Sequence, residues 1–503
     1  MKQSKIPYER VAFVSFAKST ITTLKKRLDL SEQEARYFRT IHSMNFLLLG
    51  LDRKQVASQY LHTFPARFSK DFLDREMKDS GEAAPVAYDA VDDNFYYQMM
   101  HDRTQLRPFD YVPPQYIKVA SLYLSFKQRY FKWLEENDYI DFIGMIERGT
   151  AEEKVPPVDL LCVDEWQDLS PLQVKQVTFW SQHIPMSIHA GDDDQTIHAW
   201  AGARHEDFLN FPTFSPTERE TIILNKTYRL PTRVLDMSVQ FIRRNKNRVD
   251  KDFQSQKTDA GAIDYTHIDR VADVLKEQLN HGTCKVLIRN RALRQHIVND
   301  LMKRGVPVST SLSKQVRAIA IIKETKDTLP VEDALFIATE SVFPARSYFT
   351  HGGKKQLLSA IEQTIRDGHQ SIPAADLTQY GAKDTLVSAI KNNDITLLKT
   401  KDIEPAEKIY KLYGRQYKTV EVQTIHQSKG SEADTVVVAL DVTKRTYQES
   451  RLPDKIEEER RVWYVAMTRT KKNLLFLQPT YKYFYPSPLT DYVKLYLKNE
   501  TNN

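Results

Sequence analysis

The hydrophobic pattern of this chain consists of short apolar segments, each followed by polar residues. The clearest of these segments is Val158 to Val163. Its length and β-branched character are typical of a buried parallel strand. Four acidic or amide residues follow within five positions: Asp164, Glu165, Gln167 and Asp168. Because ligands bind at the carboxyl ends of strands in open α/β sheets, we expect these groups to face a crevice.

This polar stretch has a chemical and a structural interpretation. In magnesium-dependent nucleotide hydrolysis, one carboxylate holds the ion and its neighbour orients the attacking water. Alternatively, the strand leads only into a helix that Ser170 caps and Pro171 begins. A cap alone requires neither Asp164 beside Glu165 nor the polar residues after them. We therefore favour the catalytic interpretation and expect the cap as well.

The same pattern predicts other elements of an α/β protein. Arg10 to Phe16 is predicted to be a buried strand and Ala17 to Leu28 a basic helix. Cys284 to Asn290, a helix around Leu293 to Arg304, and Gly305 to Val308 predict a strand, helix, strand unit.

Later segments repeat the combination of a strand with a polar turn. Met186 to Ala203 predicts a strand followed by three carboxylates and a glutamine, and Thr221 to Pro231 a strand followed by Asn-Lys-Thr-Tyr-Arg. Val420 to Leu440 predicts two strands around a polar turn, for which a plain hairpin is the alternative. Glu457 to Asn473 predicts a helix whose charge changes from acidic to basic.

Composition indicates an ordinary soluble, intracellular protein. The chain has 503 residues, enough for roughly three or four domains of ~100–200 residues each, with 41% hydrophobic and 27% charged residues. A net charge of +6 permits nucleic-acid binding without requiring it. The two cysteines, Cys162 and Cys284, stand in apolar runs and are expected to be reduced core residues. No apolar run reaches the ~20 residues of a membrane span.

The acidic stretch DEWQD resembles motif II, the Walker B box, of the UvrD/Rep family of superfamily 1 DNA helicases. Segments that resemble the family's other boxes stand in the expected order: VAFVSFAKSTITTLKKRL for motif Ia, FRTIHSM for Ib, MSIHAGDDDQTIHAWAGA for III, TIILNKTYRLP for IV, VEVQTIHQSKGSEADTVVVAL for V and EEERRVWYVAMTRTKKN for VI. The resemblance covers segments 10–50, 140–310 and 418–480.

The resemblance implies an α/β fold of two RecA-like P-loop NTPase motor domains with parallel sheets, each carrying a mainly helical insertion. On this basis 1–50 begins motor domain 1A, 51–139 is insertion 1B, 140–220 is the rest of 1A, 221–308 is the first part of 2A, 309–417 is insertion 2B and 418–503 is the second part of 2A. Both insertions are assigned by position only. Within insertion 1B, the aromatic residues Tyr96, Tyr97, Tyr116 and Tyr123 are interpreted as core packing.

The resemblance also implies a site for ATP and Mg²⁺ between the motor domains. Asp164 would hold the ion, Glu165 would polarise the water and Gln195 would sense the γ-phosphate. The remaining nucleotide residues come from motifs IV to VI: Tyr228 stacking on adenine, Glu432 accepting from the ribose hydroxyl, and Arg229 and Arg469 stabilising the transferred phosphoryl group.

Single-stranded DNA, or a duplex with a single-stranded tail, is the implied partner. The residues expected to touch it are Phe16, Lys18, Thr40, His42, Trp200, His426 and Ser428. Phe16 has an equal alternative as the end of a core strand. The family usually has Asn at Lys18, Tyr at His198 and Arg at Ala201.

One family element is not found in these residues, the Walker A turn G-x-x-x-x-G-K-[ST] that binds phosphates. His351-Gly-Gly-Lys-Lys lacks its spacing, and only about ten residues precede motif Ia. A separate polypeptide could supply the turn, an upstream exon could encode it, or hydrolysis could have been lost. A missing core strand should leave an apolar sheet edge exposed, which favours a polypeptide partner.

The resemblance therefore implies a cytoplasmic ATP-dependent DNA helicase or translocase that acts on single-stranded DNA. It would be the larger part of a split enzyme whose Walker A segment comes from another polypeptide or an upstream exon. The alternative is a non-hydrolysing DNA-binding or assembly subunit derived from a helicase.

Overall fold

The computed structural model describes residues 6–16, 18–68, 91–199, 202–210, 220–309, 312–398, 403–415, 418–453 and 455–501. Its strands, in chain order, are β1 Val11–Ser15, β2 Phe38–Arg39, β3 Leu160–Asp164, β4 Met186–His189, β5 Lys226–Thr227, β6 Gln254–Ser255, β7 Ala262–Thr266, β8 Cys284–Ile288, β9 Thr328–Pro330, β10 Ser371–Pro373, β11 Glu421–Thr424, β12 Ala433–Ala439, β13 Asp441–Val442, β14 Thr470–Leu477 and β15 Tyr485–Pro486.

The α-helices of the described residues are Lys18–Leu28, Ile41–Leu48, Val91–Thr104, Ala120–Glu136, Phe142–Ala151, Pro171–His183, His205–Leu209, Thr232–Ile242, Ile268–Gln278, Arg294–Lys303, Leu312–Glu324, Val331–Thr339, Ala345–Tyr348, Gly353–Arg366, Asp384–Lys391, Ile403–Tyr413, Lys444–Glu449, Ile456–Met467 and Leu489–Thr501. None of them is long and apolar enough to span a membrane.

The chain divides into two compact units. Unit 1 comprises Met1–Asn225, Val239–Phe253 and Pro453–Val465. Unit 2 comprises Lys226–Ser238, Gln254–Leu452 and Ala466–Asn503.

The sheet of unit 1 is parallel, in the order β2-β1-β3-β4. Its central strand β3 has four buried residues and ends at Asp164, so the predicted buried parallel strand is confirmed. The cap is confirmed too, since Ser170 accepts from the Gln173 backbone N–H and the helix Pro171–His183 follows. Strand β1 confirms the strand expected before the basic helix.

Strand β4 lies at one edge of the sheet of unit 1, and two of its apolar side chains are exposed. Among the described residues β4 pairs with β3 alone. Met186 and Ile188 on this strand are 51% and 53% exposed. Strands of parallel sheets are ordinarily covered on both faces, so exposed apolar side chains on β4 are unusual.

The main sheet of unit 2 has the order β11-β8-β12-β14-β7, and all its pairs are parallel. β8 therefore lies between β11 and β12, and the hairpin alternative for Val420 to Leu440 is wrong. Parallel neighbours place the chain segments that follow β8, β11 and β12 at one edge of the sheet.

Three predicted elements differ from the structure. Residues 221–225 form no strand, and the chain pairs only at β5, because the apolar side chains before it have no neighbouring strand. Gly305 to Val308 makes only an isolated bridge between Val308 and Val420. The motif VI helix ends at Met467, so Arg469 lies in the turn that leads into β14.

The segment proposed as insertion 1B packs around aromatic side chains. Tyr123 is fully buried and Tyr96 is 5% exposed, and Tyr97 and Tyr116 pack against the same cluster. Their interpretation as core residues is confirmed. Cys162 and Cys284 are buried and free, also as expected.

Candidate functional site

The carboxyl edge of the unit 1 sheet presents the motif II residues. Asp164 is the last residue of β3, and Glu165 follows with φ of +54°, in the left-handed region. A left-handed glutamate costs roughly 1–2 kcal/mol relative to an ordinary conformation. Both side chains are half-buried.

A buried glutamine connects motif II to motif III. Gln167 is 1% exposed, and its Nε2 donates to Glu165 Oε2 at 2.5 Å. Its Oε1 accepts from the Asp192 backbone N–H at 3.0 Å. Asp192 Oδ2 in turn accepts from Gln195 Nε2 at 2.7 Å. Glu165 and Gln195, predicted from separate motifs, thus belong to one hydrogen-bond chain.

The three carboxylates of motif III are neutralised by cations from further along unit 1. Lys251 Nζ lies 2.7 Å from Asp192 and 3.1 Å from Asp194, and it also pairs with Asp193. Arg248 donates to both oxygens of Asp194, at 2.9 and 2.7 Å. Burial alone would raise the pKa of Asp192, but Lys251 and hydrogen bonds hold that pKa below its usual value.

The residues of unit 1 predicted to contact DNA come from motifs Ia, Ib and III. The ring centroid of Phe16, just after β1, lies 5.0 Å from that of His198, so motifs Ia and III meet through these rings. Lys18 is exposed at the start of its helix. Trp200 and Ala201 lie outside the described residues.

Motif Ib forms the start of a helix. Thr40 is the N-cap of Ile41–Leu48, and its side chain accepts from the Ser43 backbone N–H. His42 lies beside Phe142, with ring centroids 5.8 Å apart. Burial lowers the pKa of His42 to about 4, so its imidazole is neutral near pH 7.

In unit 2 the predicted nucleotide residues of three motifs converge. Glu432 lies 3.8 Å from Arg229 and 2.6 Å from Lys471. Burial would raise the pKa of Glu432, but Lys471, Arg229 and Arg469 together lower it. The Nε atom of Arg229 is buried and has no hydrogen-bond partner among the described residues.

The remaining predicted residues of unit 2 differ in accessibility. Tyr228 is 76% exposed, whereas Arg469 is 2% exposed and donates to Thr468 at 3.1 Å. His426 and Ser428 form a 3-10 turn after β11. Ser428 is fully buried, and its hydroxyl donates to the Ile425 carbonyl at 2.7 Å.

Four residues of these clusters were missed from the sequence: Asp192, Arg248, Lys251 and Lys471. The three cations do not stand at positions where the family motifs predict a ligand contact. Their partners lie far away in the sequence: Asp192 for Lys251, Asp194 for Arg248 and Glu432 for Lys471. Only the run of three consecutive carboxylates signalled that buried cations were needed, because such a run cannot be buried unpaired.

Each unit, taken by itself, offers groups that suit one part of a magnesium nucleotide. Asp164 and Glu165 supply the oxygen ligands that Mg²⁺ prefers. Three cations around Glu432, one with an unpartnered buried Nε, suit the charge of a triphosphate.

Comparison with known proteins identifies the family of this chain. The model of the UvrD/REP helicase N-terminal domain matches residues 1–215, and that of the UvrD-like helicase C-terminal domain matches residues 384–479. The ATP-dependent DNA helicase PcrA of Staphylococcus aureus (strain NCTC 8325 / PS 47) is 24% identical over 330 residues, which is 60% of this chain and 44% of that relative. The PcrA of Staphylococcus epidermidis (strain ATCC 12228 / FDA PCI 1200) is also 24% identical, over 329 residues, with the same shares.

The chain thus spans less than half the length of the curated relatives it matches. Both helicase domains match in chain order, and both main sheets are parallel, as RecA-like domains require. This chain belongs to the UvrD/Rep family of helicases.

Proposed function

We propose that this chain is the larger part of an ATP-dependent DNA helicase or translocase, completed by a phosphate-binding segment outside these 503 residues. The observation that carries the proposal is the convergence of Arg229, Glu432 and Arg469, which come from three separate motifs. An ordinary surface ion pair would not gather three predicted nucleotide residues.

The residues divide the chemistry between them. Bound ATP and Mg²⁺ supply the phosphoryl group and the ion that neutralises it. Asp164 would hold the ion, and Glu165, which accepts a hydrogen bond from Gln167, would polarise the attacking water. Arg229 and Arg469 neutralise the charge that develops on the transferred group, a task that suits planar guanidinium groups.

Tyr228 and Glu432 select the nucleoside. The exposed Tyr228 ring is available to stack on adenine, and Glu432, held ionised, accepts from the ribose hydroxyl. Gln195 contacts the γ-phosphate, and its hydrogen bond to Asp192 links that contact to the rest of motif III.

Single-stranded DNA is the proposed track. Phe16 stacks on a base beside His198, and Trp200 supplies a second platform; such stacking contributes roughly 1–3 kcal/mol per base. Lys18, Thr40, His42 and His426 contact the backbone. Ser428, whose hydroxyl donates to Ile425, contributes by supporting the turn that carries His426.

The completing segment is proposed to add a parallel strand to β4. Met186 and Ile188 leave this edge apolar and exposed, and Ile222, Ile223 and Leu224 are 69%, 51% and 81% exposed in a stretch with strand-like sequence. A strand followed by G-x-x-x-x-G-K-[ST] and a helix would cover apolar surface here. In a parallel sheet it would deliver its phosphate loop to the same edge as Asp164.

The test is ATP hydrolysis with single-stranded DNA present. This chain is assayed alone and after co-expression with the strand, loop and helix segment of a PcrA relative. We expect activity only with the segment, and its loss in Glu165→Gln but not in Glu135→Gln, an exposed glutamate in helix Ala120–Glu136. If no preparation hydrolyses ATP while the chain binds single-stranded DNA, the non-hydrolysing alternative is correct.

A substitution on β4 tests where the added segment docks. Ile188→Lys should abolish activation by the added segment, because the segment would then have to bury a lysine on the sheet face where Ile188 lies. The matched control is Ile117→Lys, which alters a similarly exposed isoleucine, 66% exposed, away from the sheet edge. Equal activation of both variants would place the segment elsewhere.

A further inference from the structure

The turn that carries Gln195 is built on three consecutive carboxylates. Asp193 and Asp194 are 2% and 0% exposed, and oxygen atoms of Asp192, Asp193 and Asp194 lie within 4.8 Å of one another. Buried like charges at this distance repel one another and lose hydration, so this turn cannot keep its shape without compensating groups.

Two side chains from one later segment provide most of that compensation. Lys251 contacts all three carboxylates, and Arg248 grips Asp194 with two parallel hydrogen bonds. The Val249 backbone N–H also donates to Asp193, at 2.8 Å. Because Lys251 and Arg248 are themselves 9% and 6% exposed in their side chains, these ion pairs are desolvated and geometrically fixed.

A third cation strengthens the cluster from the motif VI helix. Arg461 is 3% exposed; burial lowers the pKa of its guanidinium, and the attraction of Glu457, and then of Asp194 and Asp193, opposes that shift. Its guanidinium donates to the Asn247 carbonyl at 2.7 Å, next to Arg248. Lys251 and Arg248 thus make the direct ion pairs with the three carboxylates, and Arg461, which lies 3.7 Å from Glu457, adds positive charge beside them.

The cluster is connected by hydrogen bonds to the residues proposed to act on the nucleotide. Lys251 holds Oδ1 of Asp192, while Oδ2 of the same carboxylate accepts from Gln195. The Asp192 backbone N–H donates to Gln167, which orients Glu165. A shift of Asp192 would therefore disturb its hydrogen bonds to both Gln195 and Gln167.

We propose that Lys251 and Arg248 are positioning residues that hold the turn from Asp192 to Asp194 in the conformation that orients Gln195 and, through Gln167, Glu165. The inference rests on the proposed function for its catalytic consequence. The holding of the turn does not depend on hydrolysis and can be measured separately.

Hydrogen–deuterium exchange tests whether Lys251 and Arg248 hold the turn from Asp192 to Asp194. The Gln195 amide donates to the Asp192 carbonyl at 2.9 Å and is protected while the turn is intact. In Lys251→Met, amides of 192–196 should exchange about tenfold or more faster, while the 160–164 peptide from β3 stays unchanged. Lys251→Arg should keep most of the protection, and Lys246→Met, which alters an exposed lysine of the same segment, should keep all of it.

A milder variant covers the case in which Lys251→Met fails to fold. Asp192→Asn keeps the side-chain shape and removes one charge from a side chain that is 22% exposed, and it should also accelerate exchange of the turn. Unchanged exchange at 192–196 in a folded Lys251→Met or Asp192→Asn would overturn the proposal.

Hydrolysis by the completed enzyme tests the catalytic consequence. Lys251→Met should lower kcat about 10- to 100-fold with the KM for ATP within about threefold, and Lys251→Arg should recover most of kcat. Loosened exchange with unchanged kcat would overturn the positioning role. If the wild type shows no hydrolysis at all, the proposed function fails. The exchange result still decides whether Lys251 and Arg248 hold the turn.

Discussion

The guanidinium of Arg229 lies 3.8 Å from one carboxylate oxygen of Glu432, while Lys471 lies 2.6 Å from the other. The Arg229 and Glu432 side chains are 34% and 38% exposed, so neither is committed to a buried pair. At this exposure the pair contributes little to stability, and its value lies in orienting Arg229 before a ligand binds.

Arg229→Ala should lower kcat for ATP hydrolysis by roughly 10³-fold or more in the completed enzyme, because a guanidinium that stabilises the transition state contributes that much. Binding of single-stranded DNA should change less than about twofold. Arg229→Lys should recover little, since a point charge cannot replace two parallel donors. Steady-state kinetics are compared with Arg270→Ala, an exposed arginine of unit 2. Equal effects of the two alanine variants would remove Arg229 from the mechanism.

Glu432→Gln should weaken selection for the ribose. The carboxylate, whose pKa is held low by Lys471, Arg229 and Arg469, is the stronger acceptor for a hydroxyl. The preference for ATP over its 2′- and 3′-deoxy analogues should fall about tenfold, measured as the ratio of kcat/KM values. If the ratio is unchanged and only kcat falls, Glu432 serves to orient Arg229 and does not read the sugar.

Stability should fall in acid through two histidines of unit 1. Burial lowers the pKa of His42 and of His189 to about 4, against about 6.5 in an unfolded chain. The unfolded state therefore binds more protons between these values, so the two histidines leave stability unchanged above pH 6.5 and reduce it progressively as pH falls toward 4. The loss should be about 2 kcal/mol for each residue. Urea unfolding at pH 7.5 and 4.5 measures it.

The control for this pH dependence is His351→Gln, an exposed histidine. His42→Gln and His189→Gln should each reduce the difference in unfolding free energy between the two pH values, whereas His351→Gln should leave it unchanged. An unchanged difference in His42→Gln and His189→Gln would show that other groups cause the acid sensitivity.

Asp141 joins the helix Phe142–Ala151 to the segment proposed as insertion 1B. It caps that helix, accepting from the Gly144 N–H at 2.6 Å, and accepts from Arg103 at 2.6 Å and from Tyr130 at 3.1 Å. Asp141→Ala should cost about 3–5 kcal/mol of unfolding free energy, because a buried guanidinium loses a partner. Urea denaturation compares it with Asp110→Ala, at an exposed position. A cost below about 1 kcal/mol would contradict this prediction.

Elements that depend on local pattern could be predicted from the sequence. β3 and the helix capped by Ser170 follow from an apolar run and from cap residues that satisfy helix amides a few positions away. The stretch from Thr221 to Leu224 has the same apolar composition but forms no strand. A strand exists only where a neighbour accepts its hydrogen bonds, and composition does not supply that neighbour.

Long-range relationships escaped prediction for a different reason. The insertion of β8 between β11 and β12 depends on the packing of the whole sheet, since turn residues alone fit a hairpin equally well. The pairing of Lys251 with Asp192 joins segments that sequence alone does not connect. Family resemblance identified the residues expected to touch nucleotide, but not the side chains that hold those residues in place.

Glu165 occupies a backbone conformation, φ of +54°, that glycine adopts at much lower cost. Replacing it with glycine would relieve roughly 1–2 kcal/mol of strain while deleting the carboxylate. A thermal-shift screen would then rank above the natural chain a variant that lacks the carboxylate proposed to polarise the attacking water. Selection for heat resistance alone would move this protein away from activity at this position, so any engineering programme needs a functional assay beside its melting curve.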